Sequence, residues 1–316
     1  MSAGPSLDDI RVAARRIAPF IHRTPVMTCG TLDAMTGARL YFKCENLQKT
    51  GSFKIRGATN AVLQLSPAEA ARGVVTESSG NHGAAVAKAA SGRGIAAHIV
   101  MPKNAPAVKC RAVEGYGGII TFCDANVEAR QARMKQLLEE SGGVLVHPYN
   151  DRRVIAGQGT AALELLEDVP ELDVLLVPVS GGGLLSGNSI AATTLRPSIR
   201  VIGCEPANAD DAYRSLKSGH IEKNVTTDTI ADGLRAQLCE LTFGIVRERV
   251  DEIVRVTEEE IVAAMRLVWE RMKIVVEPSA AVALAPAIAR TIRADGKRVG
   301  VLLSGGNVEL NALPFH

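Results

Sequence analysis

The sequence predicts an α/β protein built from two doubly wound domains with mostly parallel sheets and a cleft between them. Short apolar, β-branched runs alternate with Ala-rich helical segments, the series restarts after about residue 149, and three Gly-rich turns fall just after strands and before helices. The first strand is Arg39–Glu45, followed by a break at Gly51 and Ser52 and a helix over Phe53–Ala61, for which Ser52 is a candidate cap. Strands Gly73–Thr76, Ala97–Met101, Gly118–Cys123 and Val144–His147 then alternate with helices His82–Ser91, Pro106–Tyr116 and Asn126–Ser141. The second series has strands at Val174–Val179, Arg200–Glu205, Glu252–Val256 and Arg298–Leu303. Its helices are read at Leu184–Leu195, Asp210–Ser218, Thr257–Lys273 and Ser279–Arg293. Arg39–Glu45 has no sheet of its own, so it joins the later series across the inserted block. The expected division is a large unit of residues 1–72 and 149–316 and a small, mobile unit of 73–148.

The 316 residues are 47% hydrophobic and can bury a large core. Basic residues number 36 and acidic ones 34, spread along the chain, and aromatics are only 3%, so there is no basic-aromatic surface to expect for nucleic acid. The longest apolar stretch, Ala280–Ala289, is far short of the roughly 20 residues of a membrane span, and no signal-peptide core is present. Six cysteines without a CxxC pair suit free thiols in a reducing compartment, and the expected location is the cytoplasm.

The chemistry centres on TGSFKIRGAT, Thr50–Thr59. Lys54 falls in the first turn of its helix between Phe53 and Ile55, where the dipole opposes a cation. One reading is a side chain that snorkels to water. The other is an amine held in an apolar site, which loses its proton readily and serves as a nucleophile. The Gly-rich turns are SSGNHG (Ser78–Gly83), SGGGLLSG (Ser180–Gly187) and SGGN (Ser304–Asn307). Backbone N–H groups of the second, together with the helix start after it, form a candidate phosphate site. It is neither a Walker loop nor a clean GxGxxG, because Ser186 stands at the third glycine. Glu205, about 20 residues on, keeps a nicotinamide-dependent oxidoreductase in view as a rival. A lysine, a phosphate nest and a polar partner for a ring nitrogen are together what pyridoxal phosphate requires.

Over nearly its whole length the sequence resembles the pyridoxal-phosphate enzymes of the serine racemase and serine/threonine dehydratase family. FKCENLQKTGSFKIRGA, SSGNHG, VIAGQGTAALEL, SGGGLLSG, EPANADDAYRS, WERMKIVVEPSAA and LSGGNVEL occur in order. The resemblance implies the tryptophan synthase β-like fold of type II pyridoxal-phosphate enzymes, with the active site between the domains. It implies that Lys54 is the Schiff-base lysine, that Phe53 packs on the cofactor, and that Asn81 contacts the ring hydroxyl. Ser180, Gly181, Gly182, Gly183 and Leu184 would line the phosphate cup, and Ser304 would meet the pyridine nitrogen. Ser78, Ser79, Asn81, His82 and Arg130 would face the substrate, and a homodimer is the family's usual state.

Ser79 carries a particular implication. Plain threonine dehydratases of the family commonly have alanine there, whereas serine racemases carry a serine acting on the cofactor face opposite the lysine. Two bases on two faces suit racemisation, and equally suit elimination from a D-configured substrate. A structural alternative is a helix N-cap for the run beginning at His82. EPANADDAYRS places Glu205 and Asp211 six residues apart, and with the carbonyl of Ala209 they offer oxygen ligands. The resemblance implies a structural Mg²⁺, Mn²⁺ or Ca²⁺ at these three positions. Three residues depart from the serine racemase pattern: Tyr149 stands where the mammalian enzyme has a smaller polar residue, Gln131 replaces an acid beside Arg130, and Ala236 replaces a serine after IADG. The reaction expected is elimination of water from a β-hydroxy amino acid (3-hydroxyaspartate, serine or threonine). Serine racemisation is the alternative, a catalytically silent ligand-binding relative a remoter one, and Arg130 the candidate partner of a second substrate carboxylate.

Overall fold

The apolar runs pair into two sheets in a computed structural model that describes residues 4–78, 80–105 and 107–315. The strands are β1 (Val26–Met27), β2 (Arg39–Cys44), β3 (Val74–Glu77), β4 (Ala97–Pro102), β5 (Ile119–Cys123), β6 (Val144–Leu145), β7 (Val174–Pro178), β8 (Arg200–Pro206), β9 (Glu252–Val256) and β10 (Arg298–Leu303). The larger sheet has the order β1-β2-β10-β7-β8-β9 and the smaller β5-β4-β3-β6. All neighbours run parallel except β1 against β2. β7 is buried along its whole length, as a central parallel strand covered on both faces must be.

Each sheet reverses its strand order once. In the larger sheet the chain moves outward from β7 to β8 and β9 and then returns to place β10 on the other side of β7. The smaller sheet does the same, with β4 and β5 on one side of β3 and β6 on the other. Loops diverge at such points and open a crevice at the carboxyl ends of the strands. Residues 78–81 and 146–149 follow β3 and β6, and residues 180–183 and 304–307 follow β7 and β10.

Three helices lock the crevice floor. Helix Lys54–Leu63 lies on helix Arg152–Asp168, which lies on helix Gly183–Leu195. The contacts are backbone to backbone: a methyl at Gly157 would sit 2.6 Å from the Cα of Gly57, and one at Gly159 would sit 2.6 Å from the carbonyl oxygen of Gly187. The Gln158 side chain accepts from the Gly57 N–H at 3.1 Å, satisfying a first-turn donor of the helix that carries Lys54. In the same turn, Arg56 is fully buried and binds Glu45 at 2.7 Å and Glu164 at 2.7 Å, while buried Lys43 meets Glu164 at 2.7 Å. Two cations and two anions neutralise one another and tie β2 to both helices.

Four expectations fail locally. The turn Ser304–Asn307 leads to a short 3₁₀ turn, Leu310–Ala312, and not to an α-helix. Ser52 does not cap the lysine helix: the cap is Phe53, and Ser52 is extended in an antiparallel bridge to Gly305. Thr257–Lys273 is α-helical only over Glu258–Leu267, then widens to a π turn over Val268–Met272 and stops at left-handed Lys273. Ser279–Arg293 is two short helices, Pro278–Ala281 and Ala285–Ile288. Pro286 has no N–H to give and its ring crowds the preceding turn, so one continuous helix cannot pass through it.

Candidate active site

Lys54 is half-buried in the first turn of its helix. Its Nζ donates to the Pro148 carbonyl at 3.2 Å and lies 5.0 Å from the centroid of the Phe53 ring. Burial pushes its pKa down to about 8, with Glu277 pulling the other way. The segment before it is held open by two successive left-handed residues, Thr50 (φ 67°) and Gly51 (φ 71°). A β-branched residue is strained there, and such strain persists only where surrounding contacts hold it. Here the Asn307 amide donates to the Thr50 carbonyl at 2.8 Å, and Phe53 N–H donates to the Ser304 carbonyl at 3.0 Å. Ser304 is itself buried.

Asn81 begins the helix after the SSGN turn. Its amide donates to both Glu277 oxygens, at 2.9 and 3.1 Å, and accepts from Asn307 at 2.8 Å, so the orientation of the amide is fixed. Glu277 is buried, and burial with the nearby charge of Asp232 pushes its carboxyl up to about 7. Ser78 receives the Gly80 N–H on its hydroxyl at 3.2 Å. Ser79 lies outside the described residues, and the cap of the helix beginning at Asn81 is Gly80. His82 is buried and donates from Nε2 to the Val146 carbonyl at 2.9 Å, since a carbonyl can only accept. Its Nδ1 then carries a lone pair with no protein partner, and burial holds the ring neutral, down to about 3. His147 receives the Asn150 N–H on Nδ1 at 2.9 Å and is likewise lowered, to about 4, by burial and Lys54.

The second Gly-rich turn stands opposite. Gly182 is left-handed (φ 85°), and helix Gly183–Leu195 starts with no side chain capping it, so its first-turn N–H groups are open to an anion. Side chains are excluded here: a methyl at Gly181 would strike the Tyr149 ring, and one at Gly182 would meet Leu238 at 2.7 Å. Ser180 is pinned by its hydroxyl, which receives the Ala236 N–H at 3.0 Å, and Leu184 is buried. The donor set suits pyridoxal phosphate: a depressed lysine amine, an uncapped Gly-rich helix start, and buried polar atoms without protein partners at Thr50 Oγ1, Ser52 Oγ and His82 Nδ1.

Glu205, Ala209 and Asp211 gather at the end of β8. Glu205 is fully buried and receives N–H groups from Ala212 at 3.0 Å and Tyr213 at 2.8 Å. Asp211 receives the Leu238 N–H at 2.9 Å, which links this cluster to the segment packed on Gly182. Burial, and then Asp211, push the Glu205 carboxyl well above its ordinary value, and burial brings Asp211 up to about 6. Among the described residues neither carboxylate makes a salt bridge, nor do three or more His, Cys, Asp or Glu side chains group as a metal site. The set is two acids and a carbonyl, which suits a hard cation.

Arg130 reaches the end of β3, with Nε 3.4 Å from Glu77. The motifs WERMKIVVEPSAA and SGGN marked the stretches that hold Glu277 and Asn307, but not these residues as participants, and Glu77 and His147 carried no signal of their own.

With the site laid out, comparison with known proteins places the chain in a class. The family described as pyridoxal-phosphate dependent enzyme matches residues 17–305, and the chain belongs to it. It is 51% identical over 312 residues to serine racemase of Dictyostelium discoideum, covering 98% of this chain and 96% of that protein. It is 49% identical over 312 residues to the beta-hydroxyaspartate dehydratase of Paracoccus denitrificans, covering 99% of each. The maize serine racemase structure superposes with a TM-score of 0.96 at 50% identity, covering 98% of this chain and 95% of that one.

Proposed function

We propose that this protein is a pyridoxal-phosphate-dependent dehydratase that removes water from a β-hydroxy amino acid and releases ammonia. The observation that carries it is the juxtaposition of a depressed Lys54 amine with the uncapped Gly181–Leu184 turn and the fixed amide of Asn81. Pyridoxal phosphate, when bound, supplies an aldehyde that condenses with amines and a ring that accepts the electron pair left when Cα loses its proton. Lys54 would hold the cofactor and then, as a free base, take the Cα proton. Phe53 would pack on the ring, Asn81 would donate to its hydroxyl, and the turn Ser180, Gly181, Gly182, Gly183 and Leu184 would bind its phosphate. Ser304 would meet the ring nitrogen as a neutral partner, which holds a carbanion less well than an aspartate would and so favours prompt loss of the β-hydroxyl.

Ser78, Ser79, Asn81 and His82 would surround the substrate, with Ser79 as the acid–base group opposite Lys54. Arg130 would receive the distal carboxylate of 3-hydroxyaspartate, a task suited to a planar fork that is always charged. Glu205, Ala209 and Asp211 would hold a structural divalent cation, Mg²⁺, Mn²⁺ or Ca²⁺. The reading divides the chain into 1–72 with 149–316 and a small unit of 73–148. Asn81–Glu277, Asn81–Asn307 and Lys109–Asp232 are the contacts that already join the two units and that opening would break. A homodimer in a reducing compartment belongs to the same proposal, supported by six free cysteines for the compartment.

Racemisation is the second reading, favoured by the similarity to serine racemases. Purified enzyme given L-serine, D-serine, L-threonine and each 3-hydroxyaspartate isomer separates the two. Keto acid and ammonia formed faster than the opposite enantiomer support the dehydratase, and the reverse order supports the racemase.

A further inference from the structure

Arg130 and Glu77 form an under-satisfied ion pair. Their nearest atoms, Nε and Oε2, are 3.4 Å apart, and both are buried without a hydrogen bond. The side chains keep 33% and 21% of their exposure, so the pair is partly open to solvent and not in the core. Glu77 ends β3, immediately before the SSGN turn, at the point where the smaller sheet reverses its order. Its charge and that of Arg130 both act on the Tyr149 hydroxyl, which burial, Cys239 and then Glu77 push up to about 12 and Arg130 pulls back. The Tyr149 ring in turn packs on Gly181, and its Cβ and Cα on Gly183. Glu77, with Arg130 against it, therefore stands beside the SSGN turn at the end of β3, the strand paired with β6, which Tyr149 follows by four residues.

We propose that Glu77 is a substrate-charge filter: its carboxylate shares the Arg130 guanidinium and repels a second substrate carboxylate, and so limits how strongly 3-hydroxyaspartate is preferred over serine. The inference rests on the reading of Arg130 given above. A distal carboxylate must compete with Glu77 for the guanidinium and then sit beside a like charge in a partly desolvated site, which disfavours binding. Burial already raises the Glu77 carboxyl, and Arg130 is the charge that opposes this, so drawing Arg130 onto a ligand makes the Glu77 anion costlier still. Serine and threonine bring no second carboxylate and meet none of this.

Glu77→Gln keeps the shape and removes the charge. The ratio of kcat/KM for 3-hydroxyaspartate to that for serine should rise at least tenfold, chiefly through KM. Succinate, a dicarboxylate that cannot react, should inhibit at least tenfold more tightly than in the parent, whereas acetate should change little. Glu77→Asp should return both values toward the parent. A ratio and a succinate affinity that stay level or fall in Glu77→Gln overturn the filter. Arg130→Ala is the separate control: if it leaves the ratio unchanged, the Arg130 reading fails and the filter that acts through its guanidinium fails with it, and if it lowers the ratio while Glu77→Gln does nothing, the Glu77 inference alone fails.

Discussion

The Glu277 charge should help hold the proton on Lys54, and removing that charge is the perturbation that reveals it. Lys54 loses its proton at about 8 and Glu277 at about 7, so between these values both are charged in the protein without cofactor. At pH 7.5 about a quarter of Lys54 is then free base, against roughly one part in a thousand for an ordinary lysine, a gain of about two hundredfold in nucleophile. Capture of pyridoxal phosphate by the apoprotein, followed by stopped-flow absorbance, should accelerate with pH and level off above about 8. Glu277→Gln should move that midpoint down by about half to one unit, because the charge that favours the ammonium is gone. The same variant has a stability signature. The folded Glu277 value of about 7 lies above the ordinary 4.5, so protonation stabilises the fold fully below 4.5 and that contribution is lost as pH rises through about 7. Glu277→Gln should therefore stabilise the apoprotein at pH 8 by up to about 3 kcal/mol and leave it little changed at pH 4.5. A capture rate that keeps rising tenfold per unit past pH 9.5, or a midpoint raised by Glu277→Gln, would refute the reasoning.

Arg56→Ala should cost about 3–5 kcal/mol in urea unfolding, because it leaves Glu45 buried and uncompensated; a loss under 1 kcal/mol would show that the cluster does not brace the lysine helix. Chelation should lower the melting temperature, with Mg²⁺, Mn²⁺ or Ca²⁺ restoring it, and Glu205→Ala should abolish the dependence; metal-free protein that melts unchanged contradicts the cation. Ser79→Ala should remove racemisation and elimination from substrates whose Cα proton faces Ser79, while elimination from L-substrates through Lys54 persists; equal loss for both configurations would leave Ser79 only a loop residue.

What was legible in the sequence follows from what each signal measures. Strands of the parallel sheets read clearly because burial on both faces demands continuous apolar runs, as in VLLVP of β7. The Arg152–Asp168 helix did not read as one, because Gly157 and Gly159, which weaken a helix locally, are there for backbone contacts that only the tertiary fold reveals. The same holds in the site. Lys54 and the Gly-rich turns announced themselves through local oddity. Glu77 and Glu277 did not, since an acid at a strand end or helix start is ordinary until its partner, Arg130 or Asn81, arrives from another segment.

The central claim is that Lys54 holds the cofactor, and borohydride reduction of the purified protein followed by peptide mapping tests it most directly. The account predicts a yellow protein that bleaches on reduction, with pyridoxyl label on the peptide containing Lys54 and no label or turnover in Lys54→Ala. A colourless protein that binds a nicotinamide nucleotide, or label fixed on any other lysine, would contradict it.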